Sequence, residues 1–590
     1  MDRKAIAGFI LIGLILMVWM WKNAPTPQNS SPEADTLKVQ IAVPDTGRKA
    51  PSPTVQGDSL GRFFSALPHL PATSVTVETP RYTATLSSRG GAILSWVMKG
   101  YATWDHYPVN LIGDRPGGDF NMIFLTADGK LINTRQLDFS LDRPAGSVNS
   151  ITGTDSLTLT FTLSVDGNSK LVKKLTFHAD RYDFDADFQF VGMQQIISNY
   201  EYQVVWENGL RYQEANTINE SNFAKASAFS GGELTEIDAT NFNEQYKQSI
   251  TGRTAWVATR NKYFAVAIIP RGKESQGAML EGSREKLPDN GAKENYSLTL
   301  KMPFTGSSFE SDRFTVFLGP LDFDMVRAYN VELDRIMSLG SVWIIRPISQ
   351  YVIIPVFKFL RLFISNYGII LLIFALIIKI VLYPLTKSSM TSMRKMQKLQ
   401  PMMEEIKAKY KDDPQKMNQQ VMRLYKEYGV NPAGGCLPLL LQLPILYALW
   451  AVFSATIELR QAPFFGWIND LSSPDIIATL PFHIPIFNID KLSGLAILMG
   501  ITMFVQQKMS VKDPRQKMMV WLMPVMMTLL FNGFPAGLNL YYFMFNLLSI
   551  GQQAWVNKKH EDEPLRKVEE KKNRGGIFAK FAKNMPKLKQ

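Results

Sequence analysis

The chain has 590 residues, 46% of them hydrophobic, and a net charge of +12. That length calls for two or more domains, and a single cysteine, Cys436, excludes a disulfide framework. Long apolar runs occupy residues 1–21 and roughly 366–556, while roughly 25–330 read like a soluble protein.

Asp2-Arg3-Lys4 precedes an apolar run from Ala5 to Trp21. At ~1.5 Å per residue this run covers about 25 Å, near the lower limit for a span. A cleaved signal peptide would place small residues just after the run. Trp19-Met20-Trp21-Lys22 stands there instead, and paired tryptophan suits a membrane interface. Residues 1–22 are therefore expected to be an uncleaved anchor. Residues 23–60, rich in Pro, Ser, Thr and Gln, are expected to be a flexible tether.

Residues 61–335 are expected to form a β-sandwich of two broad sheets. Ser156–Val165 and Asp183–Phe190 alternate apolar and polar residues, and Tyr263–Ile269 reads as a more fully buried strand. Arg89-Gly90-Gly91 and Gly231-Gly232 mark turns. The five histidines, His69, His106, His178, His483 and His560, are scattered, and none has metal-ligand spacing. No nucleophile–base set or nucleotide loop appears, so no catalytic residue, metal, cofactor or enzymatic activity is expected.

Residues 336–365 form a transition zone. Lys358 and Arg361 are three apart, on one face of an otherwise apolar helix. Such a helix lies along a membrane surface; the alternative is that it begins the next span. Five further apolar segments follow: span two at 366–386, span three at 433–456, span four at 492–509, span five at 516–532 and span six at 536–556. Several are only about 25 Å long at ~1.5 Å per residue, and such short spans thin the bilayer around them.

Lysine and arginine outnumber acids in the 387–432 loop, recur between spans four and five, and crowd the tail at 557–590. The 457–491 loop carries mainly acids. The positive-inside rule then places both termini in the cytoplasm and the β domain outside the inner membrane. The fold class expected is a membrane α-helical bundle of six spans, five forming its core, with a large periplasmic β-sandwich and a cytoplasmic helical hairpin.

Within the hairpin at 387–432, Asp413 should cap a helix at Pro414 and Gly429 should stop it. Its methionines, Met390, Met393, Met396, Met402 and Met403 among them, have two readings. They are the seam between two helices, or an adaptable surface for apolar clients.

Lys379 lies six residues before Leu385, about 9 Å at ~1.5 Å per residue. Buried in hydrocarbon, it costs at least ~2.5 kcal/mol near the centre. It either snorkels to the near surface or marks a water-filled recess. No acidic residue occurs in the apolar run Ala5–Trp21 or in the five later segments, which speaks against a proton relay. Gln442, Gln506, Gln507 and Asn546 are polar residues of the later spans. Their ordinary use is interhelical hydrogen bonding; those near the cytoplasmic end could line the same recess.

At these residues the chain closely resembles the YidC family of membrane protein insertases. The matching stretches are Tyr383-Pro-Leu-Thr-Lys387, Val430-Asn-Pro-Ala-Gly-Gly-Cys-Leu-Pro-Leu439, Leu459-Arg-Gln-Ala-Pro463 with Trp467 and Asp470-Leu471, and Gly537-Leu-Asn-Leu-Tyr-Tyr542. They cover about residues 340–557; the β domain and anchor match the Gram-negative form more loosely. The resemblance implies a groove open to cytoplasm and lipid that inserts nascent membrane proteins and helps them fold, alone or beside the Sec translocon. A client docks on the hairpin, and its polar, often acidic tail meets the buried cation. Gln506 or Gln507 and Tyr542 then take groove-lining positions. Many members have arginine where this chain has Lys379, so charge is kept and bidentate geometry is lost. The basic tail points to the ribosome as a partner, and the spans to membrane lipid, with no specific nucleic-acid sequence read. A secondary transporter would show inverted repeats and paired broken helices, which this sequence does not.

Overall fold

A computed structural model describes residues 60–113, 116–288, 290–430, 437–484, 489–510, 517–559 and 567. The expected anchor at 1–22, the tether at 23–60 up to its last residue, and nearly all of the tail beyond Lys559 lie outside the described residues. The described residues divide into two compact units: 60–338 with 455–457, and 339–454 with those from 458 onward.

The first unit is β-rich. Where the sequence suggested two sheets, the structure has three, of nine, six and five strands. Alternation builds the large sheet. In Asp183–Val191 the side chains of Phe184, Ala186, Phe188 and Phe190 are buried, while Asp185, Asp187 and Gln189 between them face outward. Each buried phenylalanine contributes about 1.5–3 kcal/mol. Two smaller sheets divide the cover over this apolar face. Trp96 of the five-stranded sheet stacks on Tyr82 at 3.9 Å and lies 6.0 Å from Phe184. Tyr202 of the six-stranded sheet lies 4.8 Å from Phe190. The five-stranded sheet escapes the sequence reading because one of its edges, Val148–Ser150, is only three residues long and joins Ser74–Glu78 in parallel.

Lys173 shares the core-facing side of its strand with Leu171, Leu175 and Phe177, and is 1% exposed. Its Nζ donates to the carbonyls of Gly91 at 2.7 Å and Phe120 at 2.5 Å. It also lies 4.7 Å from the Phe120 ring centroid. Gly91, at φ 55°, has no room for a side chain, since a Cβ would meet Phe161 at 3.1 Å and Lys173 at 3.2 Å. Burial pushes the Lys173 ammonium down to about 7.

The second unit is helical. A short helix at Ile345–Ile348 and a π turn at Ser349–Ile353 lead into α1, Ile354–Arg361. Phe357 of α1 is buried edge-on against Phe374 at 5.2 Å, whereas Phe359, Leu362 and Phe363 are exposed. α2, Tyr367–Val381, is capped by Asn366, whose side chain accepts from the Ile369 N–H. α3, Tyr383–Lys398, leaves α2 at a 66° bend. Pro384 explains the bend: it has no N–H for the carbonyl one turn earlier. The segment read as span two, 366–386, is therefore not one straight helix.

α4, Gln400–Lys409, and α5, Pro414–Glu427, complete the hairpin. Asp413 caps α5 by accepting from the Lys416 N–H at 3.0 Å, and Gly429 ends the turn at φ 62°. After α6, Leu437–Ala455, the segment read as a loop contains paired strands, Ile476–Ile484 and Ile489–Ser493. Leu492, expected to open span four, belongs to the second of them. α7, Gly494–Ser510, α8, Lys517–Phe531, and α9, Ala536–Lys559, close the unit. Among the described residues no single helix is long and apolar enough to cross a membrane; α2 with α3 passes as a bent pair.

Candidate functional site

The site is built on α9. Asn539, Tyr542, Asn546, Ser549 and Gln553 recur at alternating steps of three and four, which keeps them on one side of a helix. Asn539, Asn546, Ser549 and Gln553 are buried and Tyr542 is half-buried. α9 thus buries a polar stripe beside apolar Leu538, Tyr541 and Phe545, which is also why so long a helix lacks the hydropathy of a simple span.

Lys379 of α2 meets this face. It is 7% exposed, and its Nζ donates to Ser549 Oγ at 2.7 Å. Ser549 Oγ in turn donates to the Phe545 carbonyl at 2.8 Å. The ammonium also sits 4.7 Å from the Phe545 ring centroid, within cation–π range. Among the described residues no carboxylate lies within ion-pair distance of it. Snorkelling does not describe this side chain, which is held inward by two neutral partners on α9.

Asn546, one turn before Ser549, points its amide at Thr502 Oγ1 of α7 at 3.5 Å. Gln506 lies one turn beyond Thr502 on the same side of α7, and Gln507 is turned about 100° away at 3.6 residues per turn; both are half-buried. Tyr542 packs against Phe531 of α8 at 5.4 Å. Gln442 of α6 is buried, and its Nε2 has no hydrogen-bond partner among the described residues. The structure therefore brings Lys379 of α2 against the side of α9 that carries Tyr542 and Asn546, with Gln506 on the adjoining side of α7. Among the described residues no contact ties Gln442 or Gln507 to Lys379.

Ser549 was not singled out by sequence reasoning. A serine in an apolar helix draws no notice alone; its place in the three–four spacing with Asn546 and Gln553 was the signal.

The floor beneath Lys379 is polar as well. Gln552 Nε2 donates to Thr386 Oγ1 of α3 at 3.1 Å. Arg394 of α3 reaches the carbonyls of Val556 and Asn557 at the end of α9. Gln397 of α3 donates to the Ser510 carbonyl at the end of α7, at 2.6 Å.

In the hairpin the methionines split. Met390 and Met403 are buried, and the Tyr425 hydroxyl donates to Met403 Sδ at 3.0 Å. Met396 packs against the cluster of Leu399, Tyr428 and Val430. Met393 is half-buried, and Met402 is exposed. The same run of methionine supplies both a seam and an outer surface.

Two family models match the chain: the 60Kd inner membrane protein over residues 359–563 and the YidC periplasmic domain over residues 74–350. A membrane protein insertase YidC of Chlorobaculum parvum is 40% identical over 95% of this chain and 96% of its own. Another, of Chlorobium phaeovibrioides, is 40% identical over 98% of this chain and 100% of its own. The chain belongs to the YidC family of membrane protein insertases. Among solved YidC structures, an active insertase with its first transmembrane domain resolved aligns over 80% of this chain and 90% of its own, at 20% identity and a TM-score of 0.35. As a YidC family member the chain is an inner-membrane protein whose β-rich unit is the YidC periplasmic domain.

Proposed function

We propose that this chain inserts and helps fold other membrane proteins by receiving a client's polar tail at Lys379. The observation that carries the reading is a buried ammonium held by a hydroxyl and an aromatic face, with no carboxylate beside it among the described residues. An ion pair would consume that charge. Neutral partners leave its field free for an acidic group that arrives and departs. No bond is made or broken, so the work is binding and transfer rather than catalysis.

The route follows from the helices. A client docks on the exposed methionines of the 387–432 hairpin, Met402 among them. Its tail enters along the polar face of α9, past Gln506, Asn546 and Tyr542, with Gln442 and Gln507 as further lining. Its apolar segment leaves along α6 and α8 into lipid. In this reading the chain crosses the membrane six times, with both termini cytoplasmic and spans at 1–22, 366–386, 433–456, 492–509, 516–532 and 536–556. The 23–60 tether carries the β domain, 61–335, and the 336–365 segment lies on the membrane surface. The basic tail, 557–590, meets the ribosome, and some clients arrive through the Sec translocon.

The test is site-specific photocrosslinking to a ribosome-stalled client, from probes at Asn546 and Gln442. Crosslinks from Asn546 to the client's tail are expected, followed by transfer to Gln442 as the chain lengthens. A client that crosslinks to neither, yet inserts, refutes the route.

A further inference from the structure

The segment between α6 and α7 presents apolar surface that no described residue of its own unit covers. From Ile476 to Ile489 the chain carries no Asp, Glu, Lys or Arg. Ile476, Ile477 and Phe482 are 43%, 53% and 60% exposed, and Phe465 and Trp467 nearby are 66% and 50% exposed. Among the described residues the two strands pair only with each other. Two strands alone are at best marginally stable in water, and this pair has register shifts on either side of Ala478–Thr479.

Its base is nonetheless fixed. The Asp475 carboxylate accepts from Trp467 Nε1 at 2.9 Å, from Ser493 Oγ at 2.5 Å and from the Leu495 N–H at 2.7 Å. That binds the first strand to the start of α7. Asn532, just past α8, accepts from the Ser493 N–H at 2.9 Å and donates to the Lys491 carbonyl at 2.6 Å. Trp467 and Ile477 close on Gly494, where a Cβ would meet each at 3.0 Å. The hairpin is thus clamped to the ends of two helices at once.

Helix ends of an inner-membrane protein lie at the lipid–water boundary, where aromatic side chains concentrate. The charges are on the second strand, at Asp490 and Lys491, and the first strand has none. We propose that the paired strands Ile476–Ile484 and Ile489–Ser493 lie in the interface of the outer leaflet, with the first strand in acyl chains and Lys491 among headgroups. The occupant of this surface is lipid, which would anchor the non-cytoplasmic end of α7 and α8 while clients pass. The inference rests on reading α7 and α8 as spans.

The test uses the full-length chain with Cys436→Ser and single cysteines, one at a time, in place of Ile476, Phe482, Leu522 or Leu131, each carrying an environment-sensitive fluorophore. Leu522, 52% exposed on α8, reports lipid, and Leu131, 66% exposed on the β-rich unit, reports water. The proteins are reconstituted in vesicles of phosphatidylethanolamine and phosphatidylglycerol, with and without brominated acyl chains. Labels at Ile476 and Phe482 should be quenched by bromine several-fold more than at Leu131, and shielded from aqueous iodide. Quenching at Leu522 but not at Phe482 overturns the hairpin assignment alone, whether iodide reaches Phe482 or a protein contact excludes both quenchers. Loss of quenching at Leu522 as well overturns the span reading beneath it.

Discussion

Lys379→Met removes the charge and keeps most of the volume. A client carboxylate held about 6 Å from the ammonium, at an effective dielectric near 20, gains about 3 kcal/mol. If that attraction acts when the tail crosses, its loss slows insertion roughly a hundredfold. The cation is 7% exposed, so salt screens the attraction weakly. The assay is insertion into proteoliposomes of two versions of one client, with acidic or uncharged tails. Lys379→Met should slow the acidic version alone, and Lys379→Arg should restore it. The variant should fold, because removing a buried cation without a counter-charge relieves a desolvation cost. At normal protein yield, an acidic-tail rate left unchanged by Lys379→Met, or both tails slowed equally, would refute the charge-attraction mechanism.

Ser549→Ala deprives Lys379 of its hydroxyl partner and should cost about 1.5–3 kcal/mol; acidic-tail insertion and the thermal midpoint of the detergent-solubilised chain should both fall, and Ser549→Thr should recover part of each. Gly500→Val should weaken the α7–α8 contact, where a Cβ collides with Thr528, by about 1–3 kcal/mol; Thr528→Ala in the same chain should relieve it, as read by thermal unfolding. Lys173 gives a pH dependence. Its folded value of about 7 lies below the unfolded one of 10.5, so between them the unfolded chain binds more protons. Stability of the β-rich unit should therefore rise with pH in that window, by up to about 1.4 kcal/mol per unit. Glu220 and Glu294, both raised to about 8 by burial, act oppositely at lower pH. The measurement belongs above pH 8.5, where Lys173→Met should abolish the rise. Asp413→Ala should speed amide exchange at Lys416, whose N–H loses its cap.

The β-rich unit was legible where burial alternates strictly, as at Asp183–Val191, because period two reports one wet and one dry face. Lys173 was not: a lysine at an inward position looks like an exposed one until the carbonyls of Gly91 and Phe120, distant in sequence, close over it. The α5 cap at Asp413 was plain because capping is local. The strands at 476–493 were hidden because Pro481 and two register shifts break the alternation. Lys379 stood out as a charge among apolar residues, but its partners did not. Ser549 lies 170 residues away, and only packing of α2 on α9 brings it into reach.

The bend at Leu382 does more than turn the chain. It lays α3 so that Arg394 takes carbonyls at the end of α9 while Gln397 takes carbonyls at the end of α7. The last carbonyls of a helix have no partners of their own, so two helices share one stopper. That stopper is also the root of the hairpin. Pro384 is thus what ties the ends of α7 and α9 to the base of the hairpin.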